Sequence, residues 1–193
     1  FIYHSINYSG KGFAALSDGL RSDVVNVVIT LAQGEAFVSA YIRNLNEAAH
    51  KYKIVLFGMP SWEQYPSLDL EYLMNLNLHI FDNYFIDYNK PETADFIKKF
   101  RRKYSTEPDY YGYQGYDLMM YFSNALGKYG ENFQQCLEQY NPALLETEFV
   151  FRKTMSGGYE NTGCMIYRYE DYKIINALLN PKKEINLVEK KRH

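Results

Sequence analysis

The side chains that most often carry chemistry are few and scattered in this sequence. His4, His50, His79 and His193 stand far apart, none four residues from another or beside a cysteine, so the spacing of a zinc site is missing. Cys136 and Cys164 have no CxxC spacing, and one such pair neither requires nor excludes a disulfide. A GxSxG elbow, a GxGxxG turn and a lysine-bearing phosphate loop are all lacking. The run from Gly112 to Asp117, GYQGYD, has two glycines but no lysine, and it does not follow a strand. Asp69 with Glu71, or Asp82 with Asp87, would supply the two carboxylates of an acid/base couple, yet such spacings are those of helix caps and solvated turns. With no nucleophile and no second group to orient one, these residues point to binding rather than catalysis, with no cofactor and no metal.

Two stretches have the composition of a ligand loop. Thr30 to Ala36, TLAQGEA, passes from an apolar run into a helical one through Gln33 and Gly34. Backbone N–H groups at that helix start suit a small anionic group such as a carboxylate, and the plainer reading is a short strand-to-helix connection. Gly58 to Ser67, GMPSWEQYPS, places the one tryptophan, Trp62, among Ser61, Glu63, Gln64 and Tyr65. A tryptophan with polar neighbours in such a loop is either a platform for a ligand or a lid over its own core. The candidate ligand-binding residues are therefore Gln33, Ser61, Trp62 and Gln64.

The elements that must position these loops alternate regularly. Phe1 to Asn7 reads as a strand, and GKGFAALSDGL after it as a short helix. Val24 to Thr30, VVNVVIT, is a near-continuous apolar run, the pattern of a central strand covered on both faces. Gln33 to His50 follows helical spacing, with Phe37, Ala40, Tyr41, Leu45 and Ala48 as its apolar set. Lys53 to Met59 is the next buried strand, a helix carries Leu70, Leu73, Met74 and Leu76, and LHIFDNYFIDY is a further strand. This order implies right-handed βαβ units and a doubly wound parallel α/β sheet, whose ligands lie beyond the carboxyl ends of the strands.

Asn89 to Tyr104 carries a helix start in Pro91 and Glu92. It ends in the basic run Lys98, Lys99, Arg101, Arg102 and Lys103, read as a solvated face complementing the helix terminus. Tyr110 to Leu126 puts four tyrosines and two glycines ahead of an amphipathic helix. Beyond Gly130 come a short helical piece and three strand-like runs, TEFVFRK, GCMIYRY and YKIINAL. SGGYENTG forms a flexible loop between the first two, and Glu170-Asp171 a tight connection between the last two. These patterns divide the chain into an α/β unit over 1–88, two helices over 89–127, and a C-terminal segment over 128–193 with antiparallel strands and a charged tail.

A net charge of −2 gives no overall field for nucleic acid or an anionic membrane, and no apolar run approaches the roughly 20 residues of a spanning helix. The chain begins at Phe1 with no leader-like pattern, which leads us to expect a fragment.

The order of elements carries a resemblance. FIKKFRRKYSTEPDYYGYQGYDLMMYFSNAL is similar to a signature of the type I periplasmic binding proteins of the leucine/isoleucine/valine-binding group. There a basic, tyrosine-containing helix end precedes a proline, an aromatic stretch, Gly-Tyr-Asp and a second helix. NVVITLAQGEAFVSAYIRNLNEAAHKYKIVLFGMPSW resembles the second lobe of that family, and the likeness covers about residues 1 to 127. It implies a Rossmann-like lobe of a two-lobed, extracytoplasmic solute-binding protein that closes on a small polar, amino-acid-like ligand and works with a membrane transporter. It also implies that the first lobe is missing here. The apolar faces of the two helices, with Tyr113, Tyr116, Met120 and Phe122, then await that lobe or another chain. Where amino-acid binders of the group hold an acidic residue for the ligand's ammonium, this sequence has Met59 and Pro60, with Glu63 the nearest carboxylate. Relatives also include cell-envelope proteins, lipoproteins and peptidoglycan-associated scaffolds that use the fold for protein contacts; this is the alternative expectation.

Overall fold

The computed structural model describes residues Tyr3 to Leu178, so the charged tail and His193 lie outside the described residues. The chain divides into two compact units, one running to Phe81 and resuming at Ile166, the other Asp82–Met165.

The first unit is built on a five-stranded sheet in the order β1-β2-β3-β6-β7, formed by Val25–Ile29, Lys53–Gly58, His79–Asp82, Met165–Glu170 and Lys173–Asn176. β1, β2 and β3 run parallel, with Val25 opposite Lys53 and Phe57 opposite His79. β6 and β7 form an antiparallel hairpin. Its two-residue turn is Asp171-Tyr172, both at positive φ (49° and 59°), one residue later than the sequence suggests. That is the twist a tight hairpin needs, and it explains why polar residues gather there.

Helix α1 (Tyr8–Gly19) starts on Asn7, whose side chain accepts the N–H of Gly10. Helix α2 (Glu35–Ala49) buries Val38, Tyr41, Ile42 and Leu45, one stripe at intervals of three and four. The sequence reading placed Phe37 and Ala40 in that stripe; both are exposed, about one position out of phase, and Phe37 instead meets the ring of Tyr8 edge-on at 5.6 Å. With Ile54, Leu56, Leu76, Leu78 and Ile80, each at most 4% exposed, the stripe makes the core of this unit. Helix α3 (Leu70–Asn75) begins on Asp69, whose carboxylate accepts the N–H of Glu71, so that carboxylate pair is a helix cap.

Two strand expectations are corrected. Tyr3 to Asn7 has no regular structure. β1 lies at the edge of the sheet, with Val25, Val27 and Ile29 exposed and only Val28 buried. A near-continuous apolar run fits a strand covered on both faces or one awaiting cover, and composition does not separate the two.

The second unit packs helices α4 (Pro91–Tyr104) and α5 (Tyr110–Tyr129) with a 3-10 segment (Gly130–Gln139) and a two-stranded hairpin, β4 (Phe151–Lys153) with β5 (Tyr159–Asn161). β5 falls inside the stretch read as a flexible loop: Val150 and Thr162 flank a short ladder that needs no apolar residues to form. LHIFDNYFIDY keeps strand structure only to Asp82, followed by a single bridge from Tyr84 to Thr147. α5 starts on Asp109, which accepts the N–H of Gly112, so GYQGYD lies within the helix.

α5 buries Tyr113, Asp117, Tyr121 and Ala125 at every fourth position. Tyr113 packs with Phe96 and Leu145. The Tyr121 ring lies among Tyr140, Phe149 and Phe151, and its hydroxyl donates to the Tyr140 carbonyl at 3.0 Å. Asp117, fully buried, accepts the N–H groups of Leu145, Glu146 and Thr147 at 2.9, 2.9 and 3.0 Å. The tyrosine-rich start of α5 is therefore partly core. Of the residues expected to await a partner, Tyr113 is buried, while Tyr116, Met120 and Phe122 remain exposed beside Met119. Lys99 and Arg101 pair with Asp95 and Glu107, and Lys98 and Arg102 are exposed.

Candidate functional site

The loops that follow β1 and β2 leave the carboxyl ends of neighbouring parallel strands, so sheet register alone brings them side by side. Three bonds join them. The Trp62 indole N–H donates to the Ala32 carbonyl at 2.9 Å, the Gly34 N–H donates to the Tyr65 hydroxyl at 3.2 Å, and the Ser67 N–H donates to a Glu35 carboxylate oxygen at 2.9 Å. Within the first loop the Thr30 hydroxyl accepts the Ala32 N–H, and within the second a 3-10 turn over Pro60–Gln64 lays the Trp62 ring back onto Gly58.

That last contact explains the glycine. A Cβ on residue 58 would lie 2.5 Å from the Trp62 ring. Gly58→Ala is thus expected to push the indole off the strand and break its bond to Ala32, lowering stability by about 2 kcal/mol. A red shift of the emission of the single tryptophan, together with the urea midpoint, reads this out; an unchanged emission maximum would refute the arrangement.

Trp62 is 2% exposed, with its N–H engaged by Ala32, so it locks the rim and presents little surface of its own. Gln33 and Gln64 are exposed, one on each joined loop. Ser61 is half-buried, and its hydroxyl oxygen is enclosed with no hydrogen-bond partner. Gly34 sits at the α2 start with φ 87° and no side-chain cap. Glu63 receives the Tyr169 hydroxyl at 3.4 Å, and burial, with Glu63 adding to it, pushes that phenol above its usual range. Below the first loop, burial pushes the Tyr41 hydroxyl up to about 12, against a hydrogen bond with Thr30 that lowers it. Neither tyrosine titrates near neutral pH.

Tyr65, named in the sequence only as a neighbour of Trp62, and Glu35 are the other two clasps of the rim, and neither is among the candidate residues. Their signal was faint: a polar atom on each loop, with a partner defined only by strand register. Sequence reasoning passed over Asp117 and Glu146, although an aspartate in step with Tyr113 and Tyr121 on a helix is a polar residue in a core stripe. His79 is buried, stacked on Phe57 with Nδ1 2.7 Å from the Asn77 carbonyl oxygen, while His4 and His50 are exposed. Cys136 and Cys164 are free thiols. Among the described residues, no group of three or more His, Cys, Asp or Glu side chains could hold a metal ion, and no helix is long and apolar enough to cross a membrane.

A cavity of about 590 Å³ lies elsewhere, in the second unit, lined by Phe96, Phe100, Tyr104, Tyr116 and Met119. Its wall is mostly apolar, with Glu92, Asp95, Lys99 and Lys103 also lining it, and none of the candidate loop residues does.

No family model matches the sequence, and no curated protein matches it. Among solved structures, an ABC transporter substrate-binding protein from Desulfitobacterium hafniense superposes with a TM-score of 0.52 at 17% identity, covering 91% of this chain and 50% of that one. A complex with Leu of an ABC transporter substrate-binding protein from the same organism gives 0.50 at 16% identity, covering 90% and 49%. The chain thus spans about half the length of each, and at this identity the likeness shows the fold.

Proposed function

We propose that this chain, which has the fold of one half of an ABC transporter substrate-binding protein, is a ligand-gripping half of an extracytoplasmic solute-binding protein, without catalytic activity. The observation that carries this reading is the clasped rim. Two loops at the carboxyl ends of parallel strands are fixed to each other through Trp62, Tyr65 and Glu35, which is how a site is held ready before its ligand arrives. Gln33 and Gln64 supply neutral hydrogen-bonding groups, Ser61 a hydroxyl with no partner of its own, and the uncapped start of α2 a preference for a carboxylate.

The ligand in this reading is small, polar and amino-acid-like at its carboxylate end. A free ammonium group is not matched in the usual way, because Met59 and Pro60 occupy that part of the loop and Glu63 is engaged by Tyr169. The exposed apolar residues Tyr116, Met119, Met120 and Phe122 of α5 are where a first lobe, or another chain, covers this half.

Ligand-detected NMR suits the weak binding expected of half a cleft. The panel comprises free amino acids, N-acetylated amino acids, short peptides and muropeptides. We expect saturation transfer to a carboxylate-bearing compound, strongest where the amine is blocked, and its loss in Gln33→Ala and Gln64→Ala. Absence of transfer to any compound, or transfer unchanged in both variants, would overturn the reading and favour an envelope scaffold.

A further inference from the structure

We propose that Glu146 is a proton-operated latch on the segment 144–148. As a neutral acid it stays buried and holds Leu145 in the core of the second unit; as a carboxylate it leaves, and that segment lets go.

Glu146 is 1% exposed, and neither of its carboxyl oxygens has a hydrogen-bond partner. A neutral acid tolerates such a place at modest cost, whereas a charge with no partner does not. The groups around it oppose the charge as well. From α5, Asp117 accepts the Glu146 N–H at 2.9 Å, and the phenols of Tyr110 and Tyr113 lie within reach of its charge. From the end of β3 comes Asp82, itself raised by burial. None of these four is a cation. Burial first, then Asp117 and Asp82, push the Glu146 carboxyl up to about 7. All of these residues belong to the second unit, Asp82–Met165.

The part that moves lies beside it. Residues 140–144 carry no helix or strand, and Asn141 and Ala143 are exposed, so the chain leading to Glu146 has little to hold it. The next residues are held at several points: by the three N–H bonds to Asp117, by the Phe85 N–H on the Glu146 carbonyl, and by the bridge from Tyr84 to Thr147. All of these bonds fall within one residue of Glu146, so a carboxylate that turns out to water strains them together. Leu145 packs with Phe96 and Tyr113 and lines the 590 Å³ cavity; its departure removes one wall of that cavity.

The sign follows from linkage. A carboxyl raised in the closed form favours closure at low pH, and that advantage is lost as pH rises from about 4.5 to about 7. The segment is therefore closed in mild acid and opens more often above neutrality.

Amide exchange of the 193-residue chain at about pH 5.5 and about pH 8, corrected for the intrinsic pH dependence of exchange, tests this. Protection at Leu145, Glu146 and Thr147 is expected to fall roughly twentyfold at the higher pH, as a carboxyl raised from 4.5 to about 7 requires. Amides in the middle of α5, near Ala125, should keep theirs. Glu146→Gln has nothing to titrate and is expected to hold its protection level at both values. Asp82→Asn, which removes one opposing charge, should give a smaller fall. Protection at 145–147 that does not change with pH overturns the proposal. So does an equal loss at Ala125, which would mean melting of the whole unit, and so does a fall that persists in Glu146→Gln or is undiminished in Asp82→Asn.

Discussion

Replacing Asp117 with alanine is expected to cost about 4 kcal/mol, enough to unfold a marginal unit. Its carboxylate is fully buried and accepts three consecutive main-chain N–H groups, from Leu145, Glu146 and Thr147. Each is a bond to a charged acceptor, and removal leaves three donors in the core with no water to replace the partner. The segment so held also receives the Phe85 N–H at the Glu146 carbonyl and the bridge from Tyr84 to Thr147, so its loss spreads beyond one helix. Asp117→Asn keeps the shape but turns an amide N–H toward donors, and should cost about half as much. Urea denaturation of both variants, with amide exchange at 145–147, checks this; a loss below about 1 kcal/mol for Asp117→Ala would refute the role.

The second large effect is a gain. Glu146 is 1% exposed and neither carboxylate oxygen has a hydrogen-bond partner. Burial first, then the charges of Asp117 and Asp82, push its carboxyl up to about 7, from an ordinary value of 4.5. An acid raised on folding is held protonated, so folding carries no penalty below the unfolded value. The penalty grows as pH rises from about 4.5, and it is complete above about 7, where it amounts to roughly 3 kcal/mol. Glu146→Gln removes the titration. We expect the variant to be nearly flat between pH 5 and 8 at this site and more stable than the natural chain at pH 8. The two sites are linked: loss of the Asp117 charge eases ionisation of Glu146, so Asp117→Ala should cost less at pH 8 than at pH 5. Urea titrations at the two pH values decide it, and a variant equal to or weaker than the natural chain at pH 8 would contradict this account.

Much of the framework was legible because it rests on local causes. The alternation of β-branched runs with helical spacing gave β1, α2, β2 and β3 in order. Pro91 and the cationic end marked α4, and the polar pair near Asp171 marked a hairpin. The positions of the two loops after β1 and β2 were legible for the same reason, since strand ends and turn residues are local features. The phase of α2 was misread at Phe37 and Ala40 because helical period fixes spacing but leaves the direction of the core to whatever packs against it.

By itself, then, the sequence determined the class of the fold, the order of its elements and which loops stand at the carboxyl ends of the strands. Those follow from propensity, periodicity and chain connectivity. Only the tertiary structure decided that Trp62 is a clasp with its N–H on Ala32, that β1 is an edge, that Tyr159–Asn161 is a strand and that Asp117 anchors three main-chain groups. Each of these depends on partners separated in sequence, whose meeting is set by register and packing and leaves no trace in local composition.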